Sequence, residues 1–270
     1  MDYSTLDFQR KRLKKIINIA GPRYTPKLNV DLPIATIFDG QCRTPAFFNR
    51  IKESYGKTRR HYSSIRSKEA IAIAKDQYKE IDKLLKSTWK ILSNADNSLT
   101  KPINWKKVKD NCEKLRDCIW KYSDALRDVD EKNKKEEKPA SPREEGFSST
   151  IHYLYELNTE FYKLSNFASS YEALLSNNPT LLLTGIAGSG KTHLFSDIAK
   201  NRLKGGFSTH IFLGEEFTTN DPWQQISAFF KYTELPEKLL EKINQDAIRR
   251  KKKTLIMIDG INESLVKVNW

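Results

Sequence analysis

Residues 181–193 read LLLTGIAGSGKTH, and the reading of the whole fold turns on them. From Gly185 to Thr192 the spacing is G-x-x-x-x-G-K-T. That pattern wraps successive backbone N–H groups around an anion and turns a helix N-terminus toward it. Gly185, Gly188 and Gly190 supply the positive φ values and the close backbone approach such a loop needs, because no Cβ stands between main chain and anion. Lys191 is spaced to reach the outer phosphates of a polyphosphate, and the Thr192 hydroxyl to ligate Mg²⁺. Leu181, Leu182 and Leu183 predict a short strand buried on both faces before the loop. His193 to Arg202, with Leu194, Ile198 and Ala199 inward, predicts a helix after it.

A second signal lies downstream. The apolar run Thr254 to Ile258 predicts another buried strand that delivers Asp259 to its C-terminal end, where α/β sheets place their ligands. Asp259 there would hold magnesium directly or through water, and Glu263 is the catalytic candidate that would orient an attacking water. The predicted nucleotide site is therefore Gly185, Gly188, Ser189, Gly190, Lys191, Thr192 and His193, with Thr192 and Asp259 on Mg²⁺ and ATP as the ligand. Between the two motifs His210 to Leu213 predicts a further strand. TTNDPW opens a helix with Ile226 and Phe229 inward, and Pro236 starts one bearing Leu239, Leu240, Ile243 and Ile248. Strand and helix alternate as in a parallel three-layer sheet.

The pairing of GIAGSGKTH with IMIDGINE, and FLGEEFTTNDPWQQI between them, resembles the bacterial STAND NTPases, relatives of the NACHT ATPases, and most of all those of antiviral (AVAST-type) defence. GPRYTPKLNVDLPI at residues 21–34 carries the resemblance toward the start of the chain. It implies a switch in which ATP and Mg²⁺ control self-assembly or the assembly of a longer chain, with slow hydrolysis. It also implies that a later strand, encoded beyond Trp270, inserts between the loop strand and the strand carrying Asp259. The sheet is then incomplete, and the expectation is that this sequence is the N-terminal portion of a longer protein. NACHT-type members tend to carry an acid where this chain has Asn262, which leaves Asp259 to the metal and Glu263 to the water.

Upstream the pattern is helical. Leu6 to Ile19 is apolar-periodic, GPRYTP stops it, and an irregular stretch leads to Thr44–Pro45, a cap and first helical residue. Three stripes follow: Ile71, Ala74, Tyr78, Ile81, Leu85 and Leu92; Val108, Cys112, Leu115, Ile119, Tyr122, Leu126 and Val129, a coiled-coil-like series; and Leu154, Leu157, Phe161, Leu164, Ala168, Tyr171 and Leu175. The expected architecture is an elongated all-α antiparallel bundle before an α/β P-loop NTPase core. The expected divisions are an N-terminal segment at 1–56, the bundle at 57–178 with an exposed linker near 130–146, and the NTPase core at 179–270. The tyrosines and Trp105 on these stripes are read as packing residues.

Composition agrees with a globular chain, 38% hydrophobic and 30% charged. No apolar run approaches the roughly 20 residues that span a bilayer, and the N-terminus lacks a secretory pattern, so a cytoplasmic protein with no membrane partner is expected. Cys42, Cys112 and Cys118 form neither a disulfide framework nor a metal pattern, and the four histidines do not cluster. The net charge of +13 lies almost wholly in residues 1–150, which hold 33 Lys and Arg against 21 Asp and Glu. Such a half could track nucleic-acid phosphates, but the charges are interleaved with acids rather than blocked, which favours a solvated lysine-rich helical surface. Two other functions stay open: a helical scaffold or interaction module with an inert loop, and a nucleic-acid-dependent ATPase.

Overall fold

The computed structural model describes residues 3–24, 35–95, 99–135, 146–186 and 188–264. In chain order the helices are α1 (Leu6–Ala20), α2 (Ala35–Cys42), α3 (Pro45–Ser64), α4 (Lys68–Ile73), α5 (Lys75–Ala95), α6 (Trp105–Lys135), α7 (Ser148–Ala168), α8 (Tyr171–Ser176) and α9 (Lys191–Lys204). Strand β1 (Thr209–Leu213) follows, then α10 (Pro222–Phe229), α11 (Pro236–Arg250) and β2 (Leu255–Asp259). They fall into two compact units, Pro45–Pro179 and a discontinuous one made of Met1–Thr44 with Thr180–Trp270. The boundary therefore lies at Thr44 and not near residue 56, and the N-terminal helix belongs with the distant C-terminal third.

The first unit is all-α. Packing runs α3 to α5, α5 to α6, α6 to α7 and α7 back to α3, so four helices close the core where three stripes were expected. The missing member is α3, whose core face is Phe47, Phe48, Ile51 and Thr58 in an otherwise polar helix. Leu85, Val108, Cys112, Leu115, Tyr122, Leu126, Leu154, Leu157 and Phe161 are completely buried. Thr88, the polar break in the α5 stripe, is buried too. Its hydroxyl donates to the Leu84 carbonyl and accepts from the Asn111 amide, so the desolvation cost is met.

Three details depart from the periodicity. Ala74 leaves helical geometry between α4 and α5. The third stripe breaks at Ser170, which caps a new helix, and Tyr171 is 74% exposed rather than packed. α6 continues to Lys135, so the first part of the expected linker is helical, while 136–145 lie outside the described residues.

The second unit is a small α/β structure. β1 and β2 pair in parallel, Thr209 opposite Leu255 and Leu213 opposite Asp259. Side chains alternate across the pair. Ile211, Leu213, Leu255 and Met257 pack with Leu13, Ile16, Leu194, Ile198 and Leu203 of α1 and α9, and Phe212 packs on the other face with Ile226 of α10, Phe230 just after it, and Leu239 and Ile243 of α11. Leu240 and Ile248, expected inward, are 37% and 56% exposed. Arg249 and Arg250 close α11, and Lys251 at φ 51° ends it, so these cations complement the helix dipole.

One finding corrects the sheet. Leu181 to Leu183 form no strand: Leu182 is 75% exposed and only Leu183 is packed, against the α1–α9 cluster. Among the described residues β2 pairs with β1 alone.

The outer edge of β1 is closed by side chains. Gln9 Oε1 accepts from Thr209 N at 2.9 Å, Arg12 Nε donates to the Ile211 carbonyl at 3.2 Å, and Glu216 Oε2 accepts from Leu213 N at 3.1 Å. Arg12 pairs with the same Glu216 oxygen at 2.8 Å, with its guanidinium over the Phe212 ring. α1 thus stands where a neighbouring strand would.

No described helix is long and apolar enough to cross a membrane.

Candidate functional site

The glycine loop leads straight into α9. Gly188 and Gly190 adopt φ of 76° and 83°, left-handed values that a Cβ would strain. Gly185 does not adopt a positive φ; a Cβ there would lie 3.0 Å from Ser189 Oγ, a tight contact to which the serine side chain would have to yield. Ser189 N donates to the Ile186 carbonyl at 3.3 Å, closing the turn. Inside it sits the Lys191 ammonium, donating to the carbonyls of Gly185 at 2.8 Å and Ile186 at 2.9 Å, and to Ser189 Oγ at 3.3 Å. Five of the seven sequence-predicted ligand residues are thereby gathered in one turn: Gly185, Gly188, Ser189, Gly190 and Lys191.

Thr192 and His193 occupy the next two positions of α9. The helix's own ladder begins with Leu194 N to the Gly190 carbonyl at 2.9 Å, so the amides of Lys191, Thr192 and His193 precede it. Those are the donors an anion at a helix start would use. The far end of α9 is anchored by Arg202, whose Nε donates to Thr209 Oγ1 and Nη2 to the Lys253 carbonyl, both at 2.9 Å. One buried guanidinium therefore ties the helix to the start of both strands and holds its N-terminus at the opposite end.

Asp259 closes β2 and is buried, 6% exposed. Just beyond the strand ends, Gly214 and Gly260 lie so close that a Cβ on Gly214 would collide with the Gly260 carbonyl. Gly260 at φ 67° then turns the chain into a short 3₁₀ segment, with Glu263 N donating back to the Gly260 carbonyl at 2.7 Å. Glu263 is exposed, and its side chain folds across the α-carbon of Gly260. No described hydrogen bond or ion pair joins Asp259 to the glycine loop. Among the described residues no group of three His, Cys, Asp or Glu side chains could hold a metal ion.

Sequence reasoning missed Tyr24. Its ring stacks on the His193 imidazole, centroids 5.1 Å apart and planes 30° from parallel. α1 ends at Gly21, φ 51°, and a 3₁₀ turn closed by Tyr24 N to the Gly21 carbonyl at 3.1 Å sets the tyrosine against the first turn of α9. GPRYTP marks a helix stop in the sequence, but nothing in it says which distant element the tyrosine meets. Gln9 and Arg12 were missed for a related reason, since polar positions on an amphipathic helix read as solvent-facing. Comparison with protein-family models, with curated proteins and with solved structures finds no match for this chain.

Proposed function

We propose that the chain binds a magnesium nucleoside triphosphate, ATP in the first instance, at the glycine loop, as the nucleotide-switch portion of a bacterial antiviral-defence STAND NTPase with a P-loop core. The observation that carries this is Lys191. Its ammonium lies within a ring of loop oxygens at the head of α9, where it can exchange those neutral acceptors for phosphate oxygens of higher charge. Thr192 and Asp259 would supply a hydroxyl and a carboxylate to Mg²⁺. That sparse set fits an ion that completes its octahedron with phosphates and water rather than with a cage of carboxylates. Glu263, exposed on the segment after β2, would orient the attacking water. Binding would bias assembly with further copies or with the rest of a longer chain.

The test is a calorimetric titration with Mg-ATP. Lys191→Ala should weaken binding at least about tenfold, the loss expected for a charged hydrogen-bonding group, with an unchanged far-ultraviolet circular dichroism spectrum. Wild-type affinity in that variant would overturn the assignment. A second reading, a helical interaction module with an inert loop, is favoured by the unpaired Leu181–Leu183 segment. It predicts no Mg-ATP binding by the wild-type chain.

A further inference from the structure

Residues 151–270 hold the remaining 14 Lys and Arg against 13 Asp and Glu, so this stretch is nearly neutral. Its charges are nonetheless sorted by the two ends of the sheet. Glu215, Glu216 and Glu263 follow the strands and Asp259 closes one, whereas Arg202, Lys204 and the run Arg249 to Lys253 lie where α9 and α11 end and the strands begin. Contacts gather these cations into one surface. The Arg202 guanidinium and the Lys252 ammonium lie 5.5 and 4.5 Å from the centre of the same Phe207 ring, and Arg202 Nη2 donates to the Lys253 carbonyl at 2.9 Å. Arg10 of α1 joins them, its Nη2 donating to the Leu203 carbonyl at 3.2 Å, and Arg250 Nη1 donates to the Ser4 carbonyl at 3.3 Å.

Helix capping explains part of this surface. A helix C-terminus carries about half a negative charge, so α9, α11 and α2, whose Gln41 carbonyl accepts from Lys253 Nζ, together call for about 1.5 positive charges. With Arg10 the surface holds eight cations. Asp246, paired with Arg249 at 2.6 Å, and Asp39, near Arg202, offset two of them. Several positive charges are left over. Lys204 and Lys251 are exposed, and their ammonium groups make no hydrogen bond or ion pair among the described residues. Like charges that the fold holds together repel, and a bound polyanion relieves that repulsion.

We infer that this end of the α/β unit binds the phosphodiester backbone of a nucleic-acid duplex without reading its sequence. It lies at the opposite end of the strands from Asp259 and the head of α9, so it stands whether or not the glycine loop holds a nucleotide. A duplex offers a dense row of charge, one per about 1.7 Å of its axis, to a surface of this kind. A face made for a membrane adds apolar side chains to its cations. Here, of the large apolar residues described as exposed, the last turn of α11 and the segments before the strands contribute Ile248 alone. A single-strand site stacks bases on open aromatic rings, whereas the half-buried Phe207 ring already lies under Arg202 and Lys252.

The test is fluorescence anisotropy of a labelled random-sequence DNA duplex, titrated with the full 270-residue chain over a range of salt concentrations. Binding should weaken steeply with salt, and the triple variant Lys204→Gln, Arg249→Gln, Lys251→Gln should lose at least about tenfold in affinity at low salt. Its slope of log affinity against log salt should flatten by about one for each phosphate contact removed, a change that a purely structural role does not produce. The three side chains are exposed, so the variant should keep the wild-type circular dichroism spectrum and melting temperature. A matched variant on the exposed face of α6, Lys106→Gln, Lys107→Gln, Lys109→Gln, should keep the wild-type slope. Wild-type affinity and slope in the first variant, or an equal loss in the second, overturns the inference. So does a wild-type chain that leaves the duplex unbound at about 0.1 mM, the weak limit of non-specific affinity, or that binds phosphatidylserine vesicles and not the duplex.

Discussion

His210 sits in β1 with its ring 4.6 Å from that of Phe230, 3% exposed, and its Nδ1 has no hydrogen-bond partner. Burial, reinforced by the nearby Arg12 guanidinium, pushes the imidazole down to about 3 from its ordinary 6.5. The folded chain thus keeps it neutral where the unfolded chain protonates it. Between pH 6.5 and 3 the unfolded state binds the extra proton, so the contribution is intact above 6.5 and is lost as pH falls toward 3. Urea unfolding across that window should show stability dropping by up to about 1.4 kcal/mol per pH unit from this group. His210→Phe should remove that part of the slope. A variant that keeps the full acid dependence would show that the histidine is protonated or solvated in the fold. The same residue shows what sequence could and could not tell: its place in a strand was legible, and its protonation state was not, since that depends on Arg12 and Phe230 from other elements.

At the scale of elements, α1 decides whether the small sheet can exist. A pair of short parallel strands is marginal alone, and an exposed edge carries open backbone groups. Gln9 meets this edge from both ends of its amide: the carbonyl oxygen accepts from Thr209 N, and the nitrogen donates to the Tyr3 carbonyl and to Ser208 Oγ at 2.9 Å. Gln9→Leu keeps the volume but leaves the Thr209 N–H buried without a partner. It should cost about 1 to 3 kcal/mol in urea unfolding followed by circular dichroism. A change below about 0.5 kcal/mol, the range of an ordinary surface substitution, would mean that water replaces the amide and the edge is open. The apolar stripe Leu13, Ile16 and Ala20 was visible in the sequence as helical periodicity, while Gln9 and Arg12 looked like the wet face. Gln9 is buried and Arg12 partly so because a strand two hundred residues away lies against them.

At the scale of the whole molecule, the bundle unit is continuous in sequence and the α/β unit is not. Residues 45–179 carry a complete core of their own, so that piece should fold alone, with a helical spectrum and a cooperative thermal transition. Residues 180–270 lack α1 and α2, hence part of the cover for one sheet face and two of the three side chains that close the β1 edge, Gln9 and Arg12. They should be unfolded alone and regain structure when residues 1–44 are supplied as a separate chain. Independent folding of 180–270 would show that the N-terminal segment is an accessory. The sequence by itself determined what local chemistry dictates: the heptad-spaced helices, the proline and glycine boundaries, the strands ending at Leu213 and Asp259, and the glycine loop running into α9. Only the tertiary structure decided that α3 completes the bundle, that α1 seals β1, that Leu181–Leu183 stays unpaired, and that Tyr24 meets His193. Periodicity and backbone preference act over a few residues and are written in the chain. Pairings between distant segments are set by which buried surface and which open hydrogen bonds remain once the local elements have formed.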